Sequence, residues 1–310
     1  MTYMLKIKYT KNLTNQIFYF GFSRNNNYNL IKNWKKIIEL KNPISTLDTY
    51  RLKKNKKGKI IIDLFKKYKD IPILIEFNDC KNIWLQKYKN TFPANIDTLF
   101  LTNFLRERKL SFVRSAIDVG CGQGFVGQYL LEKYHDINTL VFTDINPYAI
   151  KLAKINIAMI PKKMINKKKI IFNVSDTFDN IPKKIKFDLI VSNPPYVPYP
   201  KAKCVKGDGP YLGVYLLQKL IKESGNRLNK NGHLILNYSV ISSDKVRKYL
   251  RNFNGKIIDE KTKKVSFWIK EILQDKKFLR FLIRKGLLEK KGDRYFQEIR
   301  VADIIFAENQ

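Results

Sequence analysis

Ser115-Ala116-Ile117-Asp118-Val119 runs directly into Gly120-Cys121-Gly122-Gln123-Gly124, and the fold turns on how this stretch is read. The first five residues read as a buried strand, and the apolar spacing from Val126 to about Tyr134 reads as a helix. Between them the backbone must turn sharply and approach a ligand more closely than any Cβ would allow, which glycine permits. A strand, a glycine turn and a helix predict a nucleotide-like cofactor site at the head of an α/β sheet. A tight structural turn makes the same demand, so the loop alone leaves both readings open.

Outward from this loop the chain alternates between strand-like and helix-like periods, the form of a parallel sheet covered on both faces. Before it, a helix is expected from Ile96 to Arg108, opened by Asp97 with Leu99, Phe100, Phe104 and Leu105 on one face. After it come strand Thr139–Thr143, helix Tyr148–Ile157, strand Lys169–Val174 and strand Phe187–Val191. Helix Tyr211–Leu228 and strand His233–Tyr238 follow. Lys162–Lys169 and Lys183–Lys186 read as basic connections. Past Asn254-Gly255 two more strands are expected, Lys256–Asp259 with a continuation near Val265, and Phe296–Phe306. A charged helical insertion near 269–290 separates them.

Two further acids lie at strand ends. Asp144, in Phe142-Thr143-Asp144-Ile145-Asn146, can accept hydrogen bonds from both hydroxyls of a ribose. Asp176, in Ser175-Asp176-Thr177, could accept from an adenine amino group. Either acid alone could be a helix cap or a loop residue. Together with one glycine loop they define a nucleoside site, in which Ile145 and Thr177 are the adjoining candidates.

Ser192-Asn193-Pro194-Pro195-Tyr196-Val197-Pro198 follows the strand ending at Val191. Two prolines can continue neither strand nor helix, so the chain leaves the sheet with its carbonyls free of ladder partners. A Pro-rich surface turn would explain the prolines but not their place beside the cofactor loop. The Asn193 side-chain oxygen and the Pro194 carbonyl can take both hydrogens of a planar NH2 group, with the Tyr196 ring stacked on its face. Holding a delocalised nitrogen so that its lone pair points at an electrophile supplies much of a rate acceleration by positioning.

The spacing of Gly120, Gly122 and Gly124, two apart each time, departs from the dinucleotide G-x-G-x-x-G and weakens an NAD-dependent reading. It resembles the D-x-G-x-G-x-G loop of class I methyltransferases. That resemblance implies a seven-stranded Rossmann-like sheet with helices on both faces and S-adenosylmethionine as cofactor. It also implies that Asp118, the three glycines, Asp144, Ile145, Asp176, Thr177 and Asn193 surround the cofactor. Asn193-Pro194-Pro195-Tyr196-Val197-Pro198 is similar to the active-site loop of the HemK-type protein glutamine methyltransferases and of adenine amino-methyltransferases. Phe92-Pro93-Ala94-Asn95-Ile96-Asp97-Thr98-Leu99 and Gly207-Asp208-Gly209-Pro210-Tyr211-Leu212-Gly213 resemble the flanking segments of the HemK family. The resemblance covers residues 91–240, with Asn193, Pro194, Pro195 and Tyr196 as the catalytic set. The bacterial glutamine enzymes of that family carry a helical N-terminal domain, whereas residues 1–90 here read as mixed or strand-rich.

Composition sets outer bounds. A chain of 310 residues with 44% hydrophobic content has room for such a core and an accessory domain. No apolar run reaches the length of a membrane span, and Lys6, Lys8 and Lys11 interrupt the start, so a soluble cytoplasmic protein is expected. Cys80, Cys121 and Cys204 lack paired spacing, and His135 and His233 have no companion ligands, so neither a metal nor a disulfide framework is expected. Both histidines read as ordinary surface or strand-edge residues.

The net charge of +33 predicts attraction to polyanions. A composition rich in Lys, Asn and Ile throughout produces the same excess whatever the partner. Residues 1–90 carry +14 of it. There, strand-like pieces Gln16–Phe22, Lys59–Leu64 and Ile71–Phe77 surround the basic run Arg51–Lys59. The expected organisation is a basic substrate-recognition domain over 1–90 and a methyltransferase domain over 91–310. The macromolecular target is a release factor or ribosomal protein, or else RNA or DNA, with nucleic-acid or ribosome contact through the basic N-terminal region. A nucleic-acid-binding protein with a degenerate methyltransferase core is the non-enzymatic alternative.

Overall fold

The computed structural model describes four strands of backbone at 3–8, 16–21, 35–40 and 73–77, then residues 91, 96–158, 160, 162–196, 214–267 and 270–307. Lys59–Leu64, the Arg51–Lys59 run, Phe92–Asn95, Val197-Pro198 and Gly207–Gly213 lie outside the described residues. In chain order the elements are β1 (Tyr3–Lys8), β2 (Gln16–Gly21), β3 (Lys35–Leu40), β4 (Ile73–Phe77), α1 (Ile96–Glu107), β5 (Ser115–Val119), α2 (Phe125–Lys133) and β6 (Thr139–Asp144). Then come α3 (Pro147–Ala158), α4 (Lys162–Ile165), β7 (Lys169–Val174), β8 (Phe187–Ser192), α5 (Tyr215–Arg227) and β9 (Leu228–Ser239). A 3-10 turn (Val240–Ser242) leads to α6 (Ser243–Asn252), β10 (Gly255–Phe267), α7 (Lys270–Gln274), α8 (Lys276–Arg284), β11 (Glu289–Lys291) and β12 (Arg294–Phe306).

Residues 1–106 with 121–174 form one compact unit, and 107–120 with 175–310 another. In the first, β1 to β4 make a sheet in the order β3-β1-β2-β4, with β1 and β3 parallel and the other pairs antiparallel. β2 and β4 fall where the sequence predicts strands. β6 and β7 pair in parallel, Thr139 opposite Lys169 through Asp144 opposite Val174. The rings of Phe142 and Phe172 stack across that pair, 4.9 Å apart. Helices α2 and α3 lie on these strands. Gly127 lets α2 sit against Phe142, because a Cβ there would fall 2.6 Å from Phe142 Cζ.

The second unit is a five-strand sheet in the order β10-β12-β9-β8-β5, with β11 forming a hairpin with β12. β5, β8 and β9 run parallel, and β12 runs against β9 and β10. With β6 and β7, seven principal strands are present, as a class I methyltransferase sheet requires. Their fully apolar inner stretches, such as Leu189-Ile190-Val191 and Leu234-Ile235-Leu236, are buried, the pattern of strands covered on both faces.

Three segments differ from the sequence expectation. Helix α6 was not anticipated: it buries only Val246 and Leu250 besides Ser243, a stripe too thin to mark a helix among so many charges. The insertion is not one helix but two, broken at Asp275, whose carboxylate caps α8 by accepting from Phe278 N at 2.9 Å. The connection after Ile160 contains the short helix α4. His233 also proves more than a bland strand residue. Its Nδ1 lies 2.8 Å from Asp303 Oδ1, and the fully buried Asp303 also binds Arg108, which reaches Asp259 at 3.0 Å.

Candidate active site

The ends of β5 and β8 are level with one another. Val119 pairs with Ser192, and Ser192 pairs with Leu236, so β5 and β8 finish at one edge, which β9 passes on its way to Ser239. Ser192 Oγ donates to Val119 O at 2.8 Å, which ties the two strand ends together just before each chain turns away. Gly120 and Asn193, one residue further on, therefore leave the sheet side by side.

The glycine turn is built as its composition demands. Gly120, Gly122 and Gly124 have φ of 68°, 54° and 80°, left-handed conformations that an L side chain enters at a cost. At Gly120 a Cβ would meet nothing within 4 Å, so the backbone there faces open space. Gly124 is crowded instead: its Cβ would stand 3.0 Å from Ala153 Cβ. One glycine thus keeps a surface open for a ligand, and the other lets the turn lie against α3.

Asp144 closes the turn from the end of β6. Its Oδ2 accepts from Gly122 N and its Oδ1 from Asn146 N, each at 2.8 Å, while Cys121 N donates to Thr143 O at 2.8 Å. Burial pushes the Asp144 carboxyl above the usual range, against the two backbone bonds that favour its ionised form. Each oxygen keeps a second lone pair, so the group can still accept from two vicinal hydroxyls. Ile145 beside it is 62% exposed, an apolar surface without cover at the mouth of the turn. Asp118 is buried on β5. Gln123, which the sequence did not single out, is buried and pinned from both ends: its Nε2 donates to Thr91 Oγ1 at 2.7 Å, and its carbonyl accepts from Asn156 Nδ2 at 3.1 Å.

Asp176 and Thr177 follow β7. Asp176 Oδ2 lies 3.1 Å from Lys219 Nζ on α5, and Thr177, at φ 53°, donates its hydroxyl to Asp176 O at 2.7 Å. The carboxylate is thus already paired on one side, and it stays partly exposed on the other.

After β8, Asn193 is partly exposed, Pro194 and Tyr196 are buried, and Pro195 is intermediate. Asn237, fully buried on β9, donates through Nδ2 to Asn193 Oδ1 at 2.8 Å. This fixes which way the Asn193 amide faces. Asn237 carries no motif of its own. Its only mark in the sequence is an amide inside the apolar strand Leu234-Ile235-Leu236-Asn237-Tyr238. Among the described residues no group of histidine, cysteine or carboxylate side chains could hold a metal ion. No helix among them is long and apolar enough to cross a membrane.

A sheet of parallel strands closed by the antiparallel strand β12, with helices against it, is the fold of a class I methyltransferase domain. The methyltransferase small domain family matches residues 94–265, and the chain belongs to that family of S-adenosylmethionine-dependent enzymes. A Methanocaldococcus jannaschii protein provisionally named a protein N5-glutamine methyltransferase is 31% identical over 159 residues, 49% of this chain and 74% of that one. The release factor glutamine methyltransferase of Leptospira interrogans is 33% identical over 171 residues, 50% of this chain and 58% of that enzyme. The ribosomal RNA small subunit methyltransferase C of Haemophilus ducreyi is 32% identical over 136 residues, 44% of this chain but 35% of that enzyme. The chain thus spans little more than half the length of the first bacterial enzyme and about a third of the second.

Proposed function

We propose that the chain methylates a planar nitrogen, the side-chain amide of a glutamine in a translation factor or ribosomal protein, in the cytoplasm. The observation that carries this reading is the Asn193 turn held beside Gly120 at the edge of the sheet, with its amide oriented by Asn237. In this reading the Asn193 oxygen and the Pro194 carbonyl accept the two N–H bonds of the substrate amide, and the Tyr196 ring bounds its flat face. Both N–H bonds are thereby held in the plane of the turn, and the lone pair is presented to one side.

Asp118, Gly120, Gly122 and Gly124 cradle the cofactor's methionine portion, Asp144 accepts from its ribose hydroxyls, and Ile145, Asp176 and Thr177 border its base. The residues present fit this role: the backbone at Gly120 is open, and Asp144 retains acceptor capacity toward two hydroxyls. The bound cofactor supplies a methyl group on a sulfonium, whose thioether leaves without a general acid. The poor histidine and cysteine inventory fits that requirement. Residues 1–90 act as the substrate-recognition domain of the 91–310 methyltransferase domain.

The test is incubation with labelled S-adenosylmethionine and cognate release factors or ribosomal proteins, followed by mass spectrometry for N5-methylglutamine. Asn193→Ala should abolish incorporation while cofactor affinity stays within about twofold, since in this reading its oxygen serves the substrate amide and Asn237, and the glycine turn and Asp144 carry most of the cofactor's binding. Incorporation into no glutamine refutes the substrate. An adenine amino group presents the same NH2 geometry, and the ribosomal RNA relative supports it as the second reading. Methyladenine in treated RNA would favour that one.

A further inference from the structure

We propose that the exposed face of α8 is a docking surface for a single-stranded RNA backbone, set at the edge of the sheet from which the Asn193 turn emerges. Lys276, Lys277, Arg280, Phe281, Arg284 and Lys285 are all exposed. Their spacing at i, i+4 and i+8 from Lys276 and from Lys277 places them on one side of the helix. The opposite side is anchored. Leu279 and Leu282 are buried with Ile241, Phe267, Ile272 and Leu288, and Phe278 and Ile283 pack against that cluster. The face is therefore anchored by an apolar cluster that the insertion shares with Ile241 and Phe267.

Three observations make this face more than a solvated one. First, none of its five cations has an ion pair among the described residues, although neighbouring lysines do: Lys264 and Lys291 both bind Glu289. Second, two lysines stand in the first turn of α8, which carries no acid. Positive charge at a helix N-terminus opposes the helix dipole, so these lysines do not serve the helix, which its Asp275 cap already supports. Third, Phe281 stands exposed amid these cations and stacks near Phe278, centroids 6.1 Å apart. An aromatic ring set among phosphate-reaching cations is the combination that holds single-stranded nucleic acid, since a base stacks on the ring while the backbone is neutralised.

The location follows from strand direction. β10 runs parallel to β8 and β9, because both β10 and β9 are antiparallel to β12. Ser192 is level with Leu236, which pairs with Ala302 and through it with Glu260, so Lys261–Phe267 projects past the edge where Ser192 ends. At ~3.4 Å per residue that overhang is about 24 Å, and α7 and α8 stand at its far end. The proximity to methyl transfer rests on the reading of the Asn193 turn above; RNA binding by α8 does not.

The experiment uses the full chain and a labelled, mixed-sequence single-stranded RNA, with fluorescence anisotropy recorded from about 50 to 200 mM salt. Lys277→Gln/Arg280→Gln/Arg284→Gln should reduce the slope of log K against log salt by about 2, at ~0.7 for each phosphate left without its cation. Phe281→Ala should weaken binding roughly tenfold with the slope unchanged, as removal of a stacking ring does. Lys183→Gln/Lys184→Gln/Lys186→Gln removes equal charge before β8, at the opposite edge, and should leave the slope as it is. Equal effects from the two triple variants would overturn the proposal, as would no binding by the wild type. Polyglutamate competing as well as RNA, with Phe281→Ala silent, would assign the surface to an acidic protein and also overturn it. None of these readings requires turnover, so a failed glutamine assay leaves this result independent.

Discussion

Gly127→Ala isolates how the cofactor turn is held in place. An added Cβ would stand 2.6 Å from Phe142 Cζ, 3.0 Å from its Cδ1, and nearer still to Cε1. Ordinary packing needs 3.4 to 4 Å, and Phe142 cannot retreat, being fully buried and stacked on Phe172. The helix must move, by an ångström or more. Overpacking of this kind costs ~1–3 kcal/mol, and the better helix propensity of alanine returns about 1 kcal/mol. The net expectation is a loss of up to about 2 kcal/mol. For a domain of this size that is a fall in Tm of about 2–4 °C per kcal/mol. Because Gly124 is the N-cap of α2, a shift of the helix also disturbs the turn, so cofactor affinity measured by calorimetry should drop as well. Thermal unfolding of Gly127→Ala, Phe142→Leu and the double variant provides the check. The double variant should recover part of the loss, as neighbours that touch do. A Gly127→Ala protein as stable as the wild type, with unchanged cofactor affinity, would refute the packing argument.

Asp144→Ala should weaken S-adenosylmethionine binding by roughly 1–3 kcal/mol, read by calorimetry, with little change in the substrate's apparent affinity. Since burial raises the Asp144 carboxyl, protonation as the pH falls should cost cofactor affinity at a higher pH than an ordinary carboxylate would. The same shift means that the free protein loses stability as the pH rises through this group, because folding favours its protonated form; a pH series of unfolding midpoints, compared with Asp144→Ala, checks the sign. Asn237→Ala should lower kcat three- to tenfold, the worth of one neutral hydrogen bond, with cofactor Kd unchanged. A change in Kd instead would make Asn237 a merely structural residue. Asp303→Ala removes the carboxylate that His233 and Arg108 share and should cost roughly 2–4 kcal/mol, less than a wholly buried pair because Arg108 keeps Asp259 and is partly exposed, measured by denaturant unfolding.

Where a residue type is forced by the backbone, the sequence was readable. Three glycines at positive φ, an acid at the end of β6 and two prolines after β8 each answer a local demand, so each announces its place without knowledge of the fold. Strand bounds in the apolar centre were legible for the same reason: Lys169–Val174 was placed without error, and β5 likewise. What escaped notice depends on partners distant in sequence. Asn237 matters because strand pairing sets it against Asn193, Gly127 because a ring from β6 occupies the space of its Cβ, and His233 because β12 brings Asp303 to it. Helix α6 was hidden by its charges, and Asp275 broke the insertion by a cap that only its geometry reveals.

β10 has one further consequence, for self-association. Among the described residues it is the outermost strand of its sheet, thirteen residues long, with β12 as its pairing partner. So long a row of peptide groups invites a second chain to add on, and the exposed Lys256 with the Lys261–Glu107 and Lys264–Glu289 pairs would lose water in any such pairing. Charge along the rim of the sheet thus works against one copy zipping onto the next.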